Sequence, residues 1–280
     1  MKTPKSLEPL VRNGLVDEVI RHLKNGKEAA VYVVVSEEEI RCAKVYKNVN
    51  QRGFHKQAQY QEGRKVRNSR QARAMEKNTG YGRKQQEEVW QNAEVDALYR
   101  LVAAGVRVPQ PYNFVEGVLL MELVTDKQGS AAPRLSDLEL TREEALEYHG
   151  FLIKEVVTML CAGLVHGDLS EYNVLIDAHG PVIIDLPQAV NAAANNNARR
   201  MLERDVDNLA VYFGRFAPEL LSTSYGKEIW KIYESGKLHP EVKLTGHFKN
   251  SNKVADVNSI MQEINDAREE ALLRRYEQED

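Results

Sequence analysis

The spacing of apolar positions changes along the chain and divides it into elements. Pro9 to Leu23 reads as a short amphipathic helix with Leu10, Leu15, Val19 and Leu23 apolar. Gly26 opens a turn into the β-branched run Val31 to Val35. Arg41 to Tyr46 then alternates with period two, which puts Cys42, Lys44 and Tyr46 on one face of a strand and Ala43 and Val45 on the other. From about Lys84 to Ala104 the period becomes helical, with Trp90, Glu94, Leu98 and Leu101 on one stripe, and Gly105 ends it. Pro109 and Pro111 punctuate the next loop, and Val118 to Val124 reads as a buried strand.

Thr141-Arg142-Glu143-Glu144 is a capping box, and the helix it starts carries Leu146, Phe151, Leu152, Val156, Met159 and Leu160 up to Gly163. Val174 to Ile176 and Val182 to Ile184 are short strands on either side of Asp177-Ala178-His179-Gly180-Pro181, which is turn chemistry. After the polar turn Asn195-Asn196-Asn197, Arg204 begins a further helix with Val206, Leu209, Ala210 and Phe213 apolar. Residues 237–280 add Leu238, Leu244, Val254, Val257, Ile260, Met261 and Ile264, a face that reads as packing.

Candidate chemistry sits on this frame. An antiparallel hairpin brings Asn173 and Asp185 to the same open end, and Asp168 precedes Asn173 by five residues on the loop His166-Gly167-Asp168-Leu169-Ser170-Glu171-Tyr172. An amide oxygen and a carboxylate can share a hard cation such as Mg²⁺, while Asp168 can accept a proton from a hydroxyl. The three together read as a phosphoryl-transfer site. A lysine among apolar neighbours needs a partner, and so does Glu94, which lies in line with apolar residues; a Lys44–Glu94 ion pair satisfies both. The alternative is a solvated glutamate on a highly charged helix. Gly26 without GxGxxG spacing is ordinarily only a turn residue, but its place ahead of Lys44 makes its loop a candidate cover for nucleotide phosphates.

Length and charge narrow the picture. At 280 residues the chain is longer than one small domain needs. The net charge of −3 hides an asymmetry, since residues 47–84 hold eleven Lys/Arg against only Glu62 and Glu76. That segment reads either as a solvated insertion or as a region attracted to RNA, to an acidic protein or to phosphate, with Ser69 and Thr79 as candidate phosphate acceptors. Cys42 and Cys161 offer neither a disulfide framework nor zinc-ligand spacing, and both read as small buried hydrophobes in a reducing compartment. The N-terminus lacks an apolar signal core, and the most apolar stretch, Phe151 to Val165, is interrupted by Lys154 and Glu155. A cytoplasmic protein without a membrane span is expected.

The run HGDLSEYN, together with Ile184-Asp185-Leu186-Pro187-Gln188-Ala189-Val190, resembles the RIO family of atypical protein kinases, its first subfamily above all. Gly26-Lys27-Glu28-Ala29-Ala30-Val31-Tyr32 is similar to that family's phosphate-binding loop, and Cys42-Ala43-Lys44-Val45-Tyr46-Lys47 to its lysine strand. The resemblance implies a two-lobe α+β fold of protein-kinase type with a reduced C-terminal lobe. The expected divisions are an N-terminal extension at 1–14, a first lobe at 15–124 and a second at 125–280. It also implies that Gly26, Lys27, Glu28 and Val31 cover the nucleotide and that Lys44 and Glu94 orient its phosphates. Met121 becomes the gatekeeper, Glu122 and Leu123 the adenine contacts, and Asp205 a buttress of the catalytic loop. The insertion at 47–84 corresponds to a loop that carries an autophosphorylation site in the family.

The expected reaction is transfer of the γ-phosphoryl group of ATP to a protein serine, with Lys44, Asp168 and Asp185 catalytic and Asn173 and Asp185 holding Mg²⁺ or Mn²⁺. Two other classes stay open: an ATPase-switched factor in ribosome or RNA assembly, and a small-molecule phosphotransferase. Gly167 stands where ordinary protein kinases carry an arginine, and Ala217-Pro218-Glu219 spells their APE triplet but sits beyond the Val206–Phe213 helix, so it reads as a chance match.

Overall fold

The first half of the structure is an antiparallel sheet of strands β1 (Glu18–Asn25), β2 (Ala29–Ser36), β3 (Glu39–Tyr46), β4 (Pro111–Val115) and β5 (Val118–Glu122), in the order β1-β2-β3-β5-β4. It is a computed structural model, with residues 3–26, 29–47 and 93–248 described. Two tight reversals set the hairpins. Glu37 and Glu38 lie at φ 53° and 64°, and Glu116 and Gly117 at 50° and 75°, the paired left-handed positions whose twist matches that of the flanking strands.

The alternation read in β3 divides the apolar contacts of the sheet. Ala43 and Val45, with Val19, Val34, Val118 and Leu120, pack on Leu7, Leu10 and Val16, which lie just before, within and after the short helix α1 (Glu8–Arg12). Ala29, Tyr46 and Leu119 join the main core instead, where helix α2, described over residues 93–103, contributes Val95, Leu98 and Leu101. That core continues through helix α3 (Arg142–Cys161), helix α4 (Ala198–Phe213) and helix α5 (Tyr225–Glu234). Thr141 caps α3 as its sequence foretells, accepting from the Glu144 amide while the Glu144 side chain accepts from Thr141. Between α3 and α4 lie β6 (Leu164–Val165) paired with β9 (Val190–Asn191), and the hairpin of β7 (Val174–Asp177) with β8 (Gly180–Ile183).

Several expectations need correction. The helix expected over Pro9 to Leu23 ends at Arg12, closed by Gly14 at φ 70°, and Val19 and Leu23 belong to an edge strand. Pairing with β2 outweighs the weak helical spacing. Helix α4 starts at Ala198 and not at Arg204, and buried Ala198, Met201 and Leu202 extend the apolar stripe towards its N-terminus. Cys42 is buried as expected, whereas Cys161, the last residue of α3, is exposed. Leu238 and Leu244 pack on the main core. Residues 248–280 separate as a second unit, and the apolar positions from Val254 to Ile264 lie outside the described residues. Among the described residues no helix is long and apolar enough to cross a membrane.

His149 on α3 is 2% exposed, wedged against the rings of Phe213 and Tyr225, and its Nε2 has no hydrogen-bond partner among the described residues. Burial pushes its imidazole from 6.5 down to about 4. The unfolded chain therefore takes up the proton first, so stability present above pH 6.5 is lost as pH falls towards 4, by roughly 2 kcal/mol at pH 5. Urea unfolding at pH 7 and pH 5 should show that loss in the wild type and a shallower one in His149→Phe; equal slopes would remove His149 as the cause.

Candidate active site

Lys44 lies on β3 and faces the main core side of the sheet, where its ammonium is caught between two carboxylates from distant parts of the chain. Nζ donates to Glu94 Oε1 on α2 at 2.6 Å and to Asp185 Oδ1 beyond β8 at 2.8 Å. The Lys44 and Glu94 side chains are 11% and 2% exposed, and that of Asp185 is 43% exposed. Burial alone would lower the lysine, but Asp185 and Glu94 hold it well above its ordinary range. Burial would likewise raise Asp185, and Lys44 overrides this to keep the carboxyl low. The second oxygen of Glu94 accepts from the Tyr46 hydroxyl at 2.5 Å, so both oxygens of this buried carboxylate are bonded. The ion pair inferred from the α2 stripe is present; Trp90, expected on the same stripe, lies outside the described residues.

The hairpin register pairs Val174 with Ile183, and the Ile184 amide donates to the Asn173 carbonyl at 3.0 Å. Asn173 and Asp185 therefore leave the hairpin together at its open end. Asp185 takes φ 68°, a left-handed conformation unfavourable for a non-glycine residue, and this turns its side chain out of the strand direction. Asn173 donates through Nδ2 to the Asp168 carbonyl at 2.9 Å, which leaves its Oδ1 as the end available to a cation. Asp168 itself is exposed, and partial desolvation and the Asp185 charge raise its carboxyl against the pull of Arg204.

The loop bearing Asp168 is stapled by one face of α4. Asp205, 2% exposed, accepts from the Gly167 amide at 2.7 Å and the Leu169 amide at 3.2 Å. Arg204 donates to the Gly167 carbonyl and Asn208 to the Leu169 carbonyl. Both flanks of Asp168 thus have amide and carbonyl bonded to side chains, with Gly167 at φ 83°. Burial pushes Asp205 up to about 7, against the two amides and Arg204. Buried His166 accepts from the Asp168 amide through Nδ1, which assigns its proton to Nε2, 3.1 Å from the Ile184 carbonyl.

A family model for the RIO domain matches residues 30–225. The chain belongs to the RIO family. The RIO-type serine/threonine-protein kinase Rio1 of Haloferax volcanii is 35% identical over 208 residues, covering 74% of this chain and 67% of that protein. The serine/threonine-protein kinase rio1 of Schizosaccharomyces pombe is 30% identical over 251 residues, 87% of this chain but 47% of that protein. This RIO chain thus spans about half the length of its fission-yeast relative and more of the haloarchaeal one. A crystal structure of the Rio2 kinase–ADP/Mg²⁺–phosphoaspartate complex from Chaetomium thermophilum superimposes with a TM-score of 0.55 at 22% identity, over 81% of this chain and 64% of that one. The RIO chain has the same α+β, protein-kinase-like fold.

Of the other residues expected at the nucleotide, those among the described residues lie on the sheet and its turns. Gly26 makes a tight turn, its amide donating to the Ala29 carbonyl at 2.9 Å, and a Cβ there would meet that oxygen at 3.3 Å. Lys47 Nζ grips the Gly26 carbonyl at 2.6 Å. Val31 pairs with Lys44 across β2 and β3, while Lys27 and Glu28 lie outside the described residues. Met121 is half-buried on β5 opposite Cys42. Glu122 gives its amide to the Gln110 carbonyl, so that donor is committed within the sheet edge, and Leu123 is the first residue beyond β5. Most of the basic segment 47–84, with Ser69 and Thr79, lies outside the described residues.

Sequence reasoning missed Tyr46, Arg204 and Asn208. The last two flank Asp205 at one and three residues, and that spacing on a helix was the available signal. Asp205→Asn should lose one carboxylate acceptor and turn an amide donor towards the loop, costing about 1–3 kcal/mol. Hydrogen exchange should then quicken at the Gly167 and Leu169 amides more than at α3; protection unchanged at both would contradict the stapling.

Proposed function

We propose that this RIO chain is an ATP-dependent serine/threonine protein kinase that also autophosphorylates. The observation that carries the reading is Lys44 held at 2.6 and 2.8 Å between buried Glu94 and partly exposed Asp185, a charged lysine aimed at the cleft beside an exposed candidate base. Relatives carry that activity in their names. The nucleotide occupies the space between the sheet and the helical half, a two-lobe division near Val124.

The donor set fits Mg²⁺, because Asn173 Oδ1 and Asp185 are hard oxygen ligands and a magnesium site completes itself with phosphate oxygens and water. The cation would neutralise charge on the β- and γ-phosphates. Lys44 orients the α- and β-phosphates. Asp168 accepts the hydroxyl proton as the serine oxygen bonds to the γ-phosphorus and the bond to the ADP oxygen breaks. His166 and α4 hold Asp168 in place during that transfer.

Asp168→Asn should bind Mg-ATP normally while turnover falls by about two orders of magnitude or more. Asp185→Asn should instead weaken Mg-ATP binding. Labelled ATP with purified protein, and titration calorimetry on both variants, separate the two failures; full turnover in Asp168→Asn would remove the base from the mechanism.

A second reading has its own support in the phosphoaspartate of the Chaetomium thermophilum Rio2 complex. On it, an Asp185 oxygen attacks the γ-phosphorus, ADP leaves, and water later hydrolyses the aspartyl phosphate, giving an ATPase cycle suited to a ribosome or RNA assembly factor. Hydroxylamine should then strip label from the protein; label fully resistant to it and mapped to a hydroxyl would leave the kinase reading alone. The basic run at 47–84 belongs, on charge alone, to an RNA or ribosomal-subunit partner, and such binding should weaken steeply with salt.

A further inference from the structure

Strand β1 carries two irregularities in its pairing with β2, one of them between His22 and Lys24. His22 pairs with Tyr32 and Lys24 with Val31, so Leu23 is the extra residue of a bulge. Directly paired residues share a face of a sheet. His22 accordingly sits with Tyr32, the two rings 5.0 Å apart, on the side packed against α1. In an unbulged strand Lys24 would follow it to that side. The bulge sends Lys24 to the other face, in one row with Val31 and Lys44. An exposed lysine is thereby aimed over the cleft from the edge of the sheet.

Arg134 approaches from the opposite wall. Its backbone bridges to Leu175, and the Ile176 amide donates to the Pro133 carbonyl at 2.9 Å, which fixes it beside the hairpin that presents Asn173 and Asp185. The two cations feel each other: beyond partial burial, Arg134 lowers Lys24, while Asp137 and Asp185 pull it up. Arg134 also helps to hold Asp185 down. Neither cation forms an ion pair among the described residues, whereas Lys44 is already neutralised by two carboxylates. Two uncommitted like charges facing each other across the Asp185 end of a cleft are relieved by an anion between them.

We propose that Lys24 and Arg134 form a two-sided clamp for the terminal phosphoryl group of the bound nucleotide triphosphate. The clamp rests on the kinase reading and deepens it: Lys44 serves the inner phosphates, and the clamp distinguishes a triphosphate from a diphosphate. Its charge also faces the oxygens that gather negative charge as the phosphoryl group leaves.

Titration calorimetry of the full chain with the non-hydrolysable triphosphate AMP-PNP and with ADP, both with Mg²⁺, tests it. Lys24→Gln and Arg134→Gln should each weaken AMP-PNP on the order of tenfold, the effect of one charge-assisted hydrogen bond, while ADP changes by less than about twofold. Lys24→Arg should restore the triphosphate preference. Lys24 is exposed, so its variant decides the matter even if Arg134→Gln folds poorly. Equal losses for both nucleotides, or no loss for AMP-PNP, overturn the clamp and leave the kinase reading standing. A wild type that binds neither nucleotide overturns both.

Discussion

The buried ammonium of Lys44 is the constraint on which the site depends. Removing a charge from water is costly, and one partner rarely compensates for it. Here Glu94 and Asp185 both accept from Nζ, and Tyr46 takes up the remaining Glu94 oxygen. The group is satisfied only when β3, α2 and the turn after β8 occupy their mutual positions. Its contribution is therefore one of specificity more than of stability, because an apolar replacement could pack as well but would not register three separate elements on one point.

A second restraint acts on the loop of the candidate base. Helix α4 holds the loop of Asp168 by its backbone, through Arg204, Asp205 and Asn208, and His166 links that loop to the residue before Asp185. The candidate base and the candidate metal ligands are thus carried on one continuous hydrogen-bonded assembly. Arg107 extends it, since its amide donates to Glu155 on α3 and its carbonyl accepts from Ile183, with its guanidinium on Asp177. The left-handed Asp185 is tolerated because the residues on both sides of it are over-determined in this way.

The two halves divide the work on charge. Among the described residues, Asp168, Asp185 and Asp205 gather on the loop, beyond the hairpin and on α4. The free cations come from the sheet edge and from the loop before α3. A ligand with several anionic groups in a row fits that arrangement, and this is why a nucleotide triphosphate suits the cleft on electrostatic grounds as well as by kinship.

What the sequence determined alone was whatever near neighbours decide. The alternation in β3, the capping box of α3 and the existence of the β7–β8 hairpin are written in residues a few positions apart and stand in the structure, although the turn read over Asp177 to Pro181 narrows to Ala178-His179. The Lys44–Glu94 pair was legible because a carboxylate on an apolar stripe demands a cation. The tertiary structure decided the rest. Residues 18–25 became a strand because β2 was there to pair with them, and Cys161 ended exposed although Met159 and Leu160 of the same turn are buried. Tyr46 found Glu94, and Arg204 and Asn208 found the loop carbonyls, only once those groups were brought alongside. Lys24 faces the cleft because a bulge is a property of two paired strands and not of either one. A partner remote in sequence leaves no local period, so such choices become visible only when the chain has folded.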